Sequence, residues 1–155
     1  LEVFERPADT YVATFIGSPA MNLLPATLAR DGTAAQLAAG PLLPFVDGSR
    51  PGPDGRALTI GIRPEHLALG EPGLTLEVDL IEPLGSETLI HGHLPGAPMD
   101  TLVMKLGGRA PPGERLAVVV PPAQMHVFDA ESGLRLEPQT AEIPPPRVAA
   151  TQSAD

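Results

Sequence analysis

The chain has 155 residues with 20 Pro, 16 Gly, no Cys and a formal net charge of −9, a length that fits one domain with a sizeable core or a short appendage plus one domain. The acidic balance opposes nucleic-acid binding, which draws on Lys and Arg to neutralise phosphates, and an aromatic content of 3% removes the stacking surfaces that single-strand binders use. Without thiols there is no disulfide, thiolate metal site or Cys nucleophile, and no apolar run approaches the ~20 residues of a spanning helix.

Ala8, Tyr11, Val12, Phe15 and Ile16 recur at helical spacing and predict a short amphipathic helix over residues 1–17. Pro7 suits its first turn and Gly17 the position just past its end. A helix this short does not persist alone in water, so its stripe must fold back, meet another chain or fray. Met21, Leu23 and Leu24 lead into a strand near 24–30, and Asp31-Gly32 reads as a hairpin turn returning through Ala35 to Ala38. Residues 48–55 are rich in Pro, Gly and Asp and read as an exposed loop. Leu58, Ile60 and Ile62 alternate as a half-buried strand that Arg63-Pro64 ends.

Leu74, Leu76, Val78 and Leu80 give the cleanest period-two signal, and Ile81 breaks its phase as a bulge, or a strand covered on both faces, would. Gly85 allows a tight turn into a strand over 88–94. Further strands are expected over 101–106 and 115–120, and His126-Val127-Phe128-Asp129 is a short last strand before a turn at Gly133. Residues 137–155, with three consecutive prolines at 144–146, read as a flexible Pro-rich tail. The pattern predicts a mainly β protein of seven to nine short strands: a small barrel or sandwich with a short N-terminal helix. The start at Leu1, without an initiator Met, reads as a piece of a larger protein.

Phe4-Glu5-Arg6-Pro7-Ala8-Asp9-Thr10-Tyr11-Val12-Ala13, Phe15-Ile16-Gly17-Ser18-Pro19-Ala20-Met21-Asn22, Gly61-Ile62-Arg63-Pro64-Glu65-His66, Gly85-Ser86-Glu87-Thr88 and His126-Val127-Phe128-Asp129 carry a resemblance. In this order and spacing the chain resembles the C-terminal part of carbohydrate-importer ATPase subunits of the maltose type and the glycerol-3-phosphate type. The resemblance implies that 1–17 is the last helix of an ATPase domain and that 18–136 is a regulatory domain of oligonucleotide-binding-like β structure, the TOBE region. It further implies pairing of two copies through the regulatory domain, contact with transporter membrane subunits through the ATPase domain, and reception of a regulatory protein. ATP and Mg would belong to the ATPase domain, leaving no cofactor here, and the location would be cytoplasmic, peripheral to the membrane. The phosphate-cradling G-x-x-x-x-G-K-[ST] pattern is absent from the sequence, so no ATP hydrolysis is expected of it alone.

Arg63, Glu65 and His66 are candidates for a charged corner at a domain or dimer interface; the plainer reading is a strand end followed by one helical turn, with Glu65 near its N-terminus. Gly85, Ser86, Glu87 and Thr88 form a turn whose hydroxyls and N–H groups suit an anion, as in related molybdate-type barrels, or simply bond their own backbone. A small-oxyanion module is thus the rival reading, and a nucleic-acid-binding barrel a remote one. Phe128 and Asp129 complete the interface or regulatory candidates. His91 and His93 face the same side of a strand but lack further ligands, and are expected as a solvated pair rather than a metal site. No catalytic constellation stands out.

Overall fold

The computed structural model describes residues 6–15, 17, 19–38, 40–46, 49–50, 52–136 and 139–140. Helix α1 spans Thr10–Phe15, and eleven strands follow: β1 Asn22–Ala29, β2 Ala34–Leu37, β3 Leu42–Pro44, β4 Ser49–Arg50, β5 Ala57–Ile62, β6 Ala68–Pro83, β7 Glu87–Leu94, β8 Ala97–Gly107, β9 Arg115–Val119, β10 His126–Asp129 and β11 Gln139–Thr140. They form a five-stranded sheet in the order β10-β5-β1-β2-β3, a four-stranded sheet in the order β8-β7-β6-β9, and the small pair β11-β4. Among the described residues the fold is mainly β with one short α-helix, as the alternating runs predict.

Each sheet contributes one apolar face to a common core. Leu24, Leu58, Ile60 and Ile62 come from the first sheet, and Leu74, Leu76, Ile90, Leu102, Met104 and Val118 from the second. Each such side chain gains roughly 1.5–3 kcal/mol by leaving water. A polar bond also ties the sheets together. The Asn22 amide donates to the Val103 carbonyl (2.9 Å) and accepts from the Val103 N–H (2.8 Å), so one side chain of β1 satisfies backbone groups of β8, an outer strand of the second sheet.

Several expectations require correction. The predicted helical stripe is not the buried face: Tyr11 is 69% exposed and Ala8 is exposed, whereas Ala13 is fully buried. The helix starts only at Thr10, where Asp9 caps it by accepting from the Val12 N–H (2.9 Å). Six residues cannot align positions 8 to 16 on one face. Pro7 lies upstream and is buried, while Ile16 and the Phe15 side chain fall outside the described residues. Gly17 does take the left-handed conformation (φ 100) that the end of a helix favours.

Leu80 is 57% exposed, against its place in the alternation. Two causes act together: the ladder shifts register between Val78 and Leu80, and β9 ends opposite Glu77, leaving the rest of β6 uncovered. The bulge therefore lies just before Ile81 rather than at it. The expected loop over 48–55 contains β4, which pairs with β11 from the Pro-rich tail; the remainder of that tail falls outside the described residues. The hairpin after β1 is wider than Asp31-Gly32 alone. Arg30, Asp31 and Gly32 all have positive φ, and the Asp54 carboxylate binds the N–H groups of Asp31 and Gly32 at 3.2 and 2.8 Å.

Candidate functional site

On the side of the first sheet away from the main core lies a second apolar cluster, Ala13, Met21 and Phe128, with Leu23 packed against it. Gly61 makes it possible. A Cβ at this position would stand 2.6 Å from the Met21 sulfur and 3.0 Å from Phe128 Cε2, so the Met21 and Phe128 side chains pack over β5 in this arrangement because Gly61 has none. Helix α1 rests here through Ala13. Four separated stretches of sequence thus meet at one joint: the helix, Met21 with Leu23, Gly61 to His66, and His126 to Asp129.

The backbone after β10 also holds the start of the helix. The Asp129 carboxylate accepts from the Ser132 N–H (2.7 Å) and pairs with Arg56 (3.2 Å), which fixes the turn that Gly133 (φ 75) completes. These bonds, the Ser132 backbone N–H first, hold the Asp129 carboxyl below the ordinary carboxylate range. From that turn the Gly133 carbonyl accepts from Thr10 N–H (3.0 Å), Arg135 N–H donates to the Ala8 carbonyl (2.8 Å), and the Arg135 guanidinium donates to the Pro7 carbonyl (3.1 Å). Arg135 also lies 5.9 Å from the Phe128 ring centroid and 3.0 Å from His126 Nδ1.

Basic groups collect around this joint although the chain is acidic overall. Arg63 is 2% exposed, and burial draws its guanidinium below the ordinary range while Glu65 acts in the opposite sense. His126 is 8% exposed and its pKa is lowered to about 4, first by burial and then by the charges of Arg135, Arg63, His66 and Arg6. It is neutral at pH 7, so its Nδ1 can accept from Arg135. His66 lies in the 3-10 turn Pro64–His66, and its Nδ1 is buried with no partner among the described residues.

The structure divides the sequence candidates. Arg63, Glu65, His66, Phe128 and Asp129 lie on the first sheet and its turns, with Glu65 exposed. Gly85, Ser86, Glu87 and Thr88 form the β6–β7 turn of the second sheet, where Leu84 N–H donates to the Glu87 carbonyl (2.7 Å). The Thr88 hydroxyl donates to the Gly108 carbonyl (2.6 Å), Gly108 N–H donates to the Ser86 carbonyl (2.8 Å), and Lys105 lies 3.5 Å from Glu87. Local bonding therefore takes up the Thr88 hydroxyl, one of the donors that an anion would use. The imidazoles of β7 are partly exposed, as expected, and each also has a carboxylate partner. His93 contacts Asp79 (2.9 Å) and Glu77 (3.1 Å) through its two ring nitrogens, and His91 contacts Glu82 (3.0 Å). The bond to Asp79 is the main cause that holds His93 above its ordinary range. Among the described residues no group of three or more His, Cys, Asp or Glu is arranged to hold a metal ion.

Sequence reasoning missed Gly61 and Arg135 as parts of the joint, and Asn22 as the tie between the sheets. Asn22 and Gly61 stood inside the quoted motifs, but nothing in a motif says which residue it touches.

Comparison with known proteins places these elements. Residues 17–67 match the MalK OB fold domain and residues 60–128 match the TOBE domain. The sn-glycerol-3-phosphate import ATP-binding protein UgpC of Salmonella paratyphi A is 43% identical over 141 residues, covering 88% of this chain and 38% of that protein. UgpC of Cereibacter sphaeroides is 46% identical over 140 residues, covering 87% of this chain and 37% of that protein. The chain therefore spans well under half the length of these relatives. Among solved structures, the cytoplasmic molybdate-binding protein ModG, in a form with molybdate bound, superposes with a TM-score of 0.56 at 14% identity, covering 68% of this chain and 94% of that one. That likeness is one of fold.

Proposed function

Residues 17–128 belong to the MalK OB fold and TOBE domain families, and from that membership we propose that this chain is the C-terminal regulatory region of the ATP-binding subunit of an importer for sugars or glycerol 3-phosphate. The similarity to UgpC proteins along 88% of the chain carries the reading. The parent subunit would hydrolyse ATP with Mg in its remaining portion, at the inner face of the cell membrane and against the transporter's membrane subunits. This region would take no cofactor and perform no catalysis. Its work is mechanical: two copies pair through it, and a regulatory protein reaches the ATPase by way of it.

The joint around α1 suits that work. The helix is bound on one face by Ala13 and by backbone bonds from 133–135, while Tyr11 points outward at 69% exposure, available to the rest of the parent. A push on the helix is felt at Phe128, Gly61 and Met21 within one packed cluster.

Two measurements test the reading. The coding sequence upstream should contain an in-frame G-x-x-x-x-G-K-[ST] pattern; its absence would sink the parentage. The isolated chain should be dimeric by light scattering at micromolar concentration and above and inert towards ATP. Turnover of nucleotide by the pure chain would contradict the proposal.

A further inference from the structure

His93 of β7 stands against the bulge in β6. The ladder pairs Val78 with Gly92 and Leu80 with His91, so Asp79, the residue between them, has no partner in the β7 register. Its side chain is held instead. His93 Nδ1 lies 2.9 Å from Asp79 Oδ2, and His93 Nε2 lies 3.1 Å from Glu77 Oε1, so one ring joins the last residue before the shift region to the bulged residue itself.

That arrangement has a requirement. Both oxygens belong to carboxylates, which when ionised accept hydrogen bonds and donate none. The second oxygen of Glu77 pairs with the Arg115 guanidinium at the start of β9 (2.9 Å), a contact of ionised groups. A neutral imidazole has one N–H and one lone pair, so it bonds one carboxylate and turns its lone pair on the other. Only the imidazolium satisfies both. His91, on the same face of β7, makes one such contact, to Glu82 (3.0 Å), which a neutral ring can keep. From β8 the residue opposite His93 is Thr101, which is uncharged.

We propose that His93 is a pH-sensitive latch on this bulge: its imidazolium ties Glu77 to Asp79 and fixes how the end of β6 leaves the sheet, and loss of one proton unties them. The pairing of β9 with β6 stops at Glu77, so beyond the tie β6 is braced by β7. Leu80 and Ile81, 57% and 39% exposed, come next, and opening the latch changes how this apolar pair is presented. The bond to Asp79, first among the causes, holds His93 above its ordinary range, so the latch opens on the alkaline side of that range.

NMR of the full chain titrated from about pH 5.5 to about pH 9, a window clear of the ordinary carboxylate and lysine ranges, tests this. Both ring nitrogens of His93 should be protonated at the acid end. The Cα carbon shifts of Val78, Asp79 and Leu80, which follow backbone dihedral angles, should move with the midpoint of the ring, while those of Leu58 and Ile60 in the first sheet stay still. Asp79→Asn gives the reciprocal test. Its side-chain amide can donate to a neutral Nδ1 while the Nε2–H bonds Glu77, so the tie outlasts the proton and the movement at Leu80 should be lost. Cα shifts at 78–80 that ignore the His93 titration, a His93 midpoint at or below the ordinary value of about 6.5, or an Asp79→Asn chain that titrates like the unaltered one would each overturn the latch.

Discussion

Gly61 is a position where one added methyl group would crowd the joint. Its Cβ would overlap the Met21 sulfur at 2.6 Å, and both Met21 and Phe128 are buried. Gly61→Ala should cost about 1–3 kcal/mol, the usual range for overpacking, and Met21→Ala in the same chain should recover part of it. Urea denaturation of the two variants checks this. His126 gives the joint a pH dependence. Its folded pKa is about 4 against an ordinary 6.5, so between these values the unfolded chain binds more protons and stability falls as the pH falls. The loss should approach a few kcal/mol at pH 4, since each tenfold difference in proton affinity between the folded and unfolded chain is worth about 1.4 kcal/mol. His126→Asn retains an acceptor for Arg135 and should flatten the curve between pH 4 and 6.5. His93 works in the opposite direction: its raised pKa gives stability that is complete below 6.5 and is lost as the pH rises through the folded value. An unchanged acid limb in His126→Asn would show that some other group governs it.

Among the elements, the connection between the sheets depends on Asn22 more than its size suggests. Replacing it by Leu keeps the bulk but leaves the N–H and C=O of Val103 without their partner, for a cost of about 1–3 kcal/mol per stranded group. Amide hydrogen exchange at Val103 should accelerate in Asn22→Leu relative to that in β7; equal protection would show that Asn22 is only a spacer. How far such elements can be read from sequence depends on whether their cause is local. The alternation of Leu58, Ile60 and Ile62 and the run 126–129 are local, and β5 and β10 lie where the pattern puts them. β3 has only three residues and no period to detect. The first part of β6 was hidden by Gly70, Pro72 and Gly73, which signal a loop; the register shift between Leu69 and Leu74 accommodates them, and a side chain at Gly73 would collide with the Val118 carbonyl. The site was harder still. Arg63, Phe128 and Asp129 could be picked out as motif members, but their meeting with Ala13, Gly61 and Arg135 arises from strand order, which no single stretch encodes.

For the whole molecule, the proposed pairing of two copies needs a surface that one copy leaves uncovered. Leu80, Ile81 and Leu84 are 57%, 39% and 50% exposed and adjoin Pro83 at the end of β6, beyond the point where β9 stops. Elsewhere among the described residues the exposed large apolar residues Tyr11, Val46, Leu69, Met99 and Leu134 stand apart in sequence. Neighbouring apolar side chains of this kind mark contact surfaces more often than isolated ones do. Leu84→Asp would set a charge in the contact, and a central truncation or charge of this type costs at least about 2 kcal/mol, a shift of roughly thirtyfold in dissociation constant. The monomer should tolerate it, because Leu84 is already half in water and contributes little to the core. Light scattering across a dilution series should therefore show the variant dissociating at higher concentration than the parent, with an unchanged melting temperature measured on the monomeric species. Tyr11→Asp, on the face assigned to the rest of the subunit, should leave the dimer of the isolated chain intact. If Tyr11→Asp dissociates the pair and Leu84→Asp does not, the two copies meet through the helix, and the surface available to the ATPase domain must be sought on the β6–β7 arm instead.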